Sequence, residues 1–542
     1  MDQATFQKIR QTLDQGRLVE AEAMLETVLA RSATDELALR GIAGVRAALG
    51  KVDLAIDALR RIARRSAKPL DALDELSRFC LQHGRVEPVL AAWDRFFKLH
   101  DNSAAGHFNF AWYIGRFGRV NLALAHYERA LALGIERPEE VHLNMARLYS
   151  DMLRQDEQAK RQLDRALELN ANYIPAMLNL GNLAEQSGDV VTAREWFTRA
   201  LQMDSKHPTA LARLADTMSF TPSAADANEA AALLPSLREL AATSDDADLA
   251  FSLGRAEEQR GDYAAAWAHY QRGNEQDRAT LSPYRAEAIE QGIARLIATC
   301  TPEWVSARQT QQAATPVFIC GMFRSGSTLL EQMLAAHPAF KPAGEREFLP
   351  RLVATQLPDY PQELERLDRK TLEVWAQAYA DESRQVHGTD RHLTDKRPDN
   401  VLYLGLARVL FPRAKVIITQ RDARDVATSL FATRLGTAAH YATDLTHIRH
   451  YLGQIQRLIT HWQTLFGDDL IIANYEQLVA DPRAELSQVL TALGESWDDQ
   501  CLNFHQLRNP VRTASVLQVR QPLNAESVGR WKRFESAFRD WR

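Results

Sequence analysis

The feature that most constrains this chain is a period. Gly16, Gly50, Gly84 and Gly118 stand 34 residues apart, three intervals in succession. Each is followed by a basic residue and then by an apolar or alanine-rich stretch of helical pattern: GRLVEAEAML, GKVDLAIDAL, GRVEPVLAAW and GRVNLALAHY. A glycine between two helical patterns supplies a tight turn free of the Cβ penalty. The next beat, near Arg154, lacks glycine, and Gly188 restores the phase after intervals of 36 and 34 residues. LGNLAEQSGD (180–189) recurs as LGRAEEQRGD (253–262). Self-similarity at such a period means stacked copies of one supersecondary unit, whose concave surface binds an extended peptide or a partner. An all-α solenoid is therefore expected over residues 1–290, irregular around 218–245, where FTPSAADANEAAALLPSL breaks the phase. Each unit is expected to hold two antiparallel helices.

At 542 residues the chain exceeds one ordinary domain, and about three to four are expected from length. A linker-like stretch at 291–314 separates the repeats from a region of different periodicity, 315–542. There, strand-like runs at Val317–Cys320, Lys415–Thr419 and Leu470–Ala473 alternate with helical patterns at Leu329–Ala336, Val401–Leu410 and His447–Phe466. Such alternation predicts an α/β domain with a parallel sheet, its ligands outside the carboxyl ends of the strands. The three strands end in GMFRSGST, QRDARD and NYE.

The first of these loops nearly fits G-x-x-x-x-G-K-S/T. Gly321, Gly326 and Thr328 fit, Ser327 stands at the lysine position, and Arg324 precedes it. A magnesium-dependent nucleotidase needs an acid ending a neighbouring strand, but KVIIT runs into Gln420 and Arg421. Asp422 and Asp425 follow at a helix start, where capping is their expected work. The loop amides suit an anion, and Arg324 with Arg421 would supply charge without a metal. A nucleotide anionic at two places is the ligand this layout suggests.

GMFRSGSTLLEQMLAAHP, VIITQRDARDVATSL and ANYEQLVADP resemble sulfotransferases that use 3′-phosphoadenosine-5′-phosphosulfate, most of all the tyrosylprotein-sulfotransferase branch and its bacterial relatives with tetratricopeptide repeats. The resemblance covers about 315–535; separately, the 34-residue pattern over 1–290 resembles tetratricopeptide repeats. The sulfotransferase resemblance implies that Arg324, Ser325, Gly326, Ser327 and Thr328 cradle the 5′-phosphosulfate, with Arg324 also serving the transfer. Arg421 and Ser429 would hold the 3′-phosphate, Tyr475 would lie by the adenosine, and Ser515 and Arg530 would close the pocket. Glu345, in AGEREFLPR, aligns with the family's catalytic glutamate, and Glu347 is its alternate. Lys396, in TDKRPDN, matches the lysine near the bridging oxygen. Phe323 replaces the family's usual proline, and Gln521 stands where the tyrosyl branch carries lysine; the second departure and Arg346-Glu347 bear on the acceptor. The resemblance implies sulfuryl transfer to a hydroxyl, such as the tyrosine of a peptide gripped by the repeats. Two readings stay open beside it: a degenerate phosphate-loop nucleotide-binding enzyme, and a repeat scaffold without transferase activity.

Composition sets the remaining expectations. Net charge is −5, and 46% of residues are hydrophobic, which gives no reason to expect a nucleic-acid partner. The longest apolar runs fall short of the roughly 18 residues that a membrane span needs. The polar N-terminus has no signal-peptide pattern, and Cys80, Cys300, Cys320 and Cys501 lie far apart, so a reducing cytoplasm is the default expectation. Oligomeric state is left open. His440, His447, His450 and His461 fall in one helical region, but without the acidic or cysteine ligands and motif spacing of a metal site.

Overall fold

The structure, a computed structural model, describes residues 1–388, 392–539 and 541. It divides into two compact units, Met1–Asn179 and Leu180–Arg542.

The first unit is built from antiparallel helix pairs, beginning Gln3–Asp14 with Leu18–Arg31, Glu36–Ala48 with Val52–Ala63, and Pro69–Gln82 with Glu87–His100. The period is carried by helix ends. Gly16, Gly50, Gly84 and Gly118 have φ between +65° and +76°. The residue after each donates its amide five residues back, as Arg17 does to Thr12 and Arg119 to Ile114. This closes each helix with a left-handed residue that satisfies its last carbonyls. At the beat without glycine, Arg154 itself adopts φ +57°. A π-helical turn, Leu148–Met152, precedes it and absorbs part of the two-residue insertion. Repeat geometry therefore overrides residue preference here, at about 1–2 kcal/mol for a side chain in that region.

The second unit begins with further helices of the same kind. The recurring LG pair has a packing cause: a Cβ on Gly181 would meet the Phe197 ring at 2.4 Å, and one on Gly254 the Tyr270 ring at 2.6 Å. The out-of-phase stretch becomes the helix Ala227–Thr243. The pair Ala247–Gln259 and Tyr263–Arg278 follows, then Ala286–Thr299, and the expected linker contains the short helix Pro302–Arg308. These helices share an apolar core with the sheet: Phe251, Ala266 and Tyr270 belong to one buried cluster with Phe318, Cys320, Val416 and Ile418. Asn274 Nδ2 donates to the Phe431 carbonyl at 2.7 Å, and Arg434 bridges Asp248 and Asp277 at 3.0 and 2.9 Å.

The sheet has five parallel strands, β1 Val317–Gly321, β2 Phe340–Pro342, β3 His392–Lys396, β4 Lys415–Gln420 and β5 Leu470–Asn474, in the order β2-β3-β1-β4-β5. Alternate residues enter two cores: Phe318 and Ile418 face one, Val317, Ile319 and Ile417 the other. Burial on both faces explains the continuous apolar runs of β1 and β4. β2 and β3 were not expected. β2 has three residues and ends in proline, and β3 reads HLTDK, a polar strand whose Thr394, Asp395 and Lys396 are all buried. No helix among the described residues is long and apolar enough to cross a membrane.

Candidate nucleotide and transfer site

The carboxyl ends of β1, β3 and β4 converge on the loop 321–327. The turn is built on positive φ at Gly321 (+140°), Arg324 (+68°) and Gly326 (+99°). Space as well as angle requires the glycines: a Cβ on Gly326 would meet the Tyr475 ring at 2.4 Å, and one on Gly321 the Thr419 carbonyl at 2.8 Å. The helix Ser327–Ala336 starts from this loop without a side-chain cap, leaving first-turn amides that favour an anion. Ser325 Oγ lies 2.6 Å from Thr419 Oγ1 and donates to the Met322 carbonyl at 2.6 Å, which pins the loop to β4. Ser327 is buried at the helix start, and Thr328 Oγ1 donates to Thr513 Oγ1 at 3.3 Å.

Arg324 draws three remote residues together. Its Nε donates to Ser429 Oγ at 2.9 Å, and its two terminal nitrogens to Ser515 Oγ and, at 3.0 Å, to Gln518 Oε1. Residues assigned to opposite ends of a nucleotide thus meet at one guanidinium. Burial pushes the Arg324 value down to about 10, with Arg421 and Arg530 adding repulsion; it still carries its charge at neutral pH. Arg421 donates to the carbonyls of Arg324, at 3.0 Å, and Ser527. Its guanidinium lies 4.6 Å from the centre of the Tyr475 ring. Arg421 Nε is buried with no partner among the described residues. An orphaned donor on a buried cation is the strongest local sign of an anion site. Burial lowers the Arg421 value too.

The carboxylates after β4 are committed elsewhere. Asp422 caps its helix, accepting the Arg424 and Asp425 amides at 2.8 and 3.3 Å. Asp425, expected to share that work, instead accepts the Gly529 and Trp531 amides at 2.6 and 2.9 Å. It faces inward, one turn on, and fastens the C-terminal segment over the loop. Arg530 in that segment is bound by Glu258, Nε and a terminal nitrogen at 2.7 and 2.6 Å, and Glu258 also receives Arg533 and Tyr270. Arg530 therefore reaches the site as a cation already matched by a buried carboxylate. Burial opposes ionisation of Glu258, but these donors outweigh it and hold the carboxyl down at about 2.

Beside the loop, at the end of β3, Lys396 Nζ donates to Glu345 Oε1 at 2.7 Å. Lys396 is wholly buried, and the Glu345 side chain retains 27% of its exposure, so one partner is fixed and the other can meet a substrate. Glu347 instead pairs with Arg397 at 2.6 Å and is half exposed. Arg346 turns away, 4.2 Å from the centre of the Tyr379 ring and bonded to Glu382 at 3.0 Å.

Sequence reasoning missed Glu331. One turn into the loop helix and 3% exposed, it accepts the Gly344 amide at 3.1 Å and the Thr394 hydroxyl at 3.3 Å. Burial pushes its carboxyl up to about 7; Lys396 opposes the rise and Glu345 adds to it. The signal was an acid inside the largely apolar helical run LLEQMLAA, residues 329–336. Among the histidines, His450 binds the Tyr284 hydroxyl at 2.6 Å and Glu290 at 2.8 Å, and His461 meets the Cys300 carbonyl at 2.9 Å.

Comparison with known proteins agrees with this geometry. Residues 316–499 match the sulfotransferase family model, and residues 8–69 and 143–208 match a tetratricopeptide-repeat model. The chain carries a sulfotransferase-family domain beside tetratricopeptide repeats. Over 305 residues it is 32% identical to an uncharacterized protein of Aquifex aeolicus, covering 53% of this chain and 40% of that one. It is 29% identical over 233 residues to protein-tyrosine sulfotransferase 1 of Danio rerio, covering 40% of this chain and 65% of the relative. With protein-tyrosine sulfotransferase 2 of Gallus gallus the figures are 30% over 237 residues, 40% and 62%. The chain thus spans between 40% and 65% of these relatives' lengths. Among solved structures, the sulfotransferase domain of the Synechococcus olefin synthase is 24% identical with a TM-score of 0.32, covering 42% of this chain and 91% of that one.

Proposed function

We propose that this protein moves the sulfuryl group of 3′-phosphoadenosine-5′-phosphosulfate to an acceptor hydroxyl. The observation that carries the reading is the arginine-bearing glycine loop set beside buried Lys396 and its partly exposed partner Glu345. The loop amides with Ser325, Ser327 and Thr328 bind the 5′ anion, and Arg421, whose buried Nε has no partner among the described residues, binds the 3′-phosphate with Ser429. Arg324 spans both. Tyr475, under Arg421, flanks the adenosine, and Ser515 and Arg530 belong to the segment that covers it. Glu345, the more exposed of the pair, accepts the acceptor's proton. Lys396, immobile and charged, stabilises charge developing on the leaving phosphate oxygen. Occupation of Asp422 and Asp425 by backbone amides disfavours the magnesium-nucleotidase alternative.

The acceptor is a hydroxyl presented to Glu345, and we assign the repeats the task of holding the molecule that carries it, such as a tyrosine-containing peptide. The test is transfer from sulfur-labelled donor to a panel of tyrosine peptides, 4-nitrophenol and saccharides, read by mass spectrometry. Label on an acceptor hydroxyl is the expected result. Unchanged donor across the panel and in a protein extract would favour the scaffold reading.

A further inference from the structure

Glu331 sits on the helix that offers its N-terminus to the donor, yet its carboxylate faces the transfer pair. It accepts the amide of Gly344, the residue before Glu345 and itself at φ +63°. It also accepts the hydroxyl of Thr394, two residues before Lys396 on β3. The same two segments are joined by backbone: the Ala343 amide donates to the Thr394 carbonyl at 3.0 Å, and the Lys396 amide to the Gly344 carbonyl at 3.1 Å. Glu331 is the side chain at the centre of this knot, one bond from the turn that aims the base and one from the strand that ends in the lysine.

We propose that Glu331 is a positioning residue for transfer: it couples the donor-binding helix to the Glu345 turn and the Lys396 strand, setting the distance between base and lysine. This rests on the sulfotransfer reading. A buried carboxylate beside another carboxylate is unfavourable unless its hydrogen bonds and a nearby cation compensate. Gly344, Thr394 and Lys396 compensate in part, against burial and the charge of Glu345. Because the helix is shared, the donor loop and the transfer pair are held in one frame, and Glu331 fixes the pair's place in it. Misplacement by about 1 Å lowers transfer by up to a hundredfold without touching donor affinity.

The experiment compares wild type with Glu331→Ala, Glu331→Gln and Thr394→Val in the full chain. Hydrogen exchange is followed over 340–348 and over the loop 321–328; adenosine 3′,5′-bisphosphate affinity is measured by calorimetry. Turnover is read as 4-nitrophenol released from 4-nitrophenyl sulfate by that nucleotide, and as transfer to the acceptor found above. Glu331→Ala should speed exchange over 340–348 alone, leave nucleotide affinity within about twofold, and lower kcat about ten- to a hundredfold at constant donor KM. Glu331→Gln, which keeps an acceptor oxygen, should restore part of kcat, and Thr394→Val should give a smaller loss of the same kind. Wild-type exchange and kcat in Glu331→Ala, or a fall in nucleotide affinity matching the fall in kcat, would overturn the proposal. If Glu331→Ala does not fold, Thr394→Val decides by the same criteria. Absence of transfer by wild type would remove the sulfotransfer reading, and exchange over 340–348 would still show whether Glu331 holds the turn.

Discussion

Two carboxylates two residues apart have different fates, and the difference is physical. Glu345 is bonded to a buried lysine, and Glu347, itself half exposed, to Arg397, which Asp399 also holds. If Glu345 is the base, Glu345→Ala should lower turnover by about a hundredfold or more, with adenosine 3′,5′-bisphosphate affinity nearly unchanged, because a carboxylate adds nothing attractive to a bound anion. Glu347→Ala should turn over normally; kcat and calorimetry on both variants check this, and inverted behaviour would move the base by two residues. Glu331 yields a prediction of stability. Its carboxyl, raised to about 7 in the folded chain, is ionised at a lower pH when unfolded. The folded state is thus penalised progressively as pH rises from the unfolded value through 7, and not at all below it. Glu331→Gln should therefore raise Tm more at pH 8 than at pH 5. An equal change at both would show that the carboxyl is not perturbed.

At the scale of elements, legibility followed periodicity. The 34-residue glycine beat and the apolar runs of β1, β4 and β5 were readable because a repeat and a sheet buried on both faces each impose a pattern. β3 was invisible because its buried end carries Asp395 and Lys396: tertiary bonds from Tyr379, Asn400 and Glu345 satisfy groups that local pattern assigns to solvent. Motif residues around the loop could be named from sequence, but not that Arg324 reaches Ser429 and Ser515, since those contacts span more than a hundred and nearly two hundred residues. Nor did the period reveal that its last turns share the sheet's core. That has a consequence for truncation. A chain starting at Tyr173, which keeps the whole helix Ile174–Ser187, should remain soluble and bind adenosine 3′,5′-bisphosphate. Deletion of 1–280 removes Phe251, Tyr270 and Glu258, opening the core and leaving Arg530 buried without its counter-ion, a loss of about 3–5 kcal/mol for the ion pair alone. Solubility and calorimetry of the two chains separate these outcomes; equal behaviour would mean that the last repeats are dispensable to the domain.

On the scale of the whole molecule, the proposed function divides the work: the repeats would supply a binding surface, and the α/β domain an anion site with Glu345 as base and Lys396 as fixed cation beside it. In the proposed function this anion site takes a nucleotide charged at both ends, with Arg421 reading the 3′-phosphate. Titration calorimetry tests it without knowledge of the acceptor. Wild type and Arg421→Ala are titrated with adenosine 3′,5′-bisphosphate, adenosine 5′-monophosphate and, with magnesium added, ATP, the first two in chelator. Wild type should bind the bisphosphate without divalent metal and at least tenfold more tightly than the monophosphate, since a charge-assisted contact contributes about 1.5–3 kcal/mol. Arg421→Ala should abolish the difference. Equal affinity of wild type for the two adenosine phosphates, or tighter binding of magnesium ATP than of the bisphosphate, would contradict it.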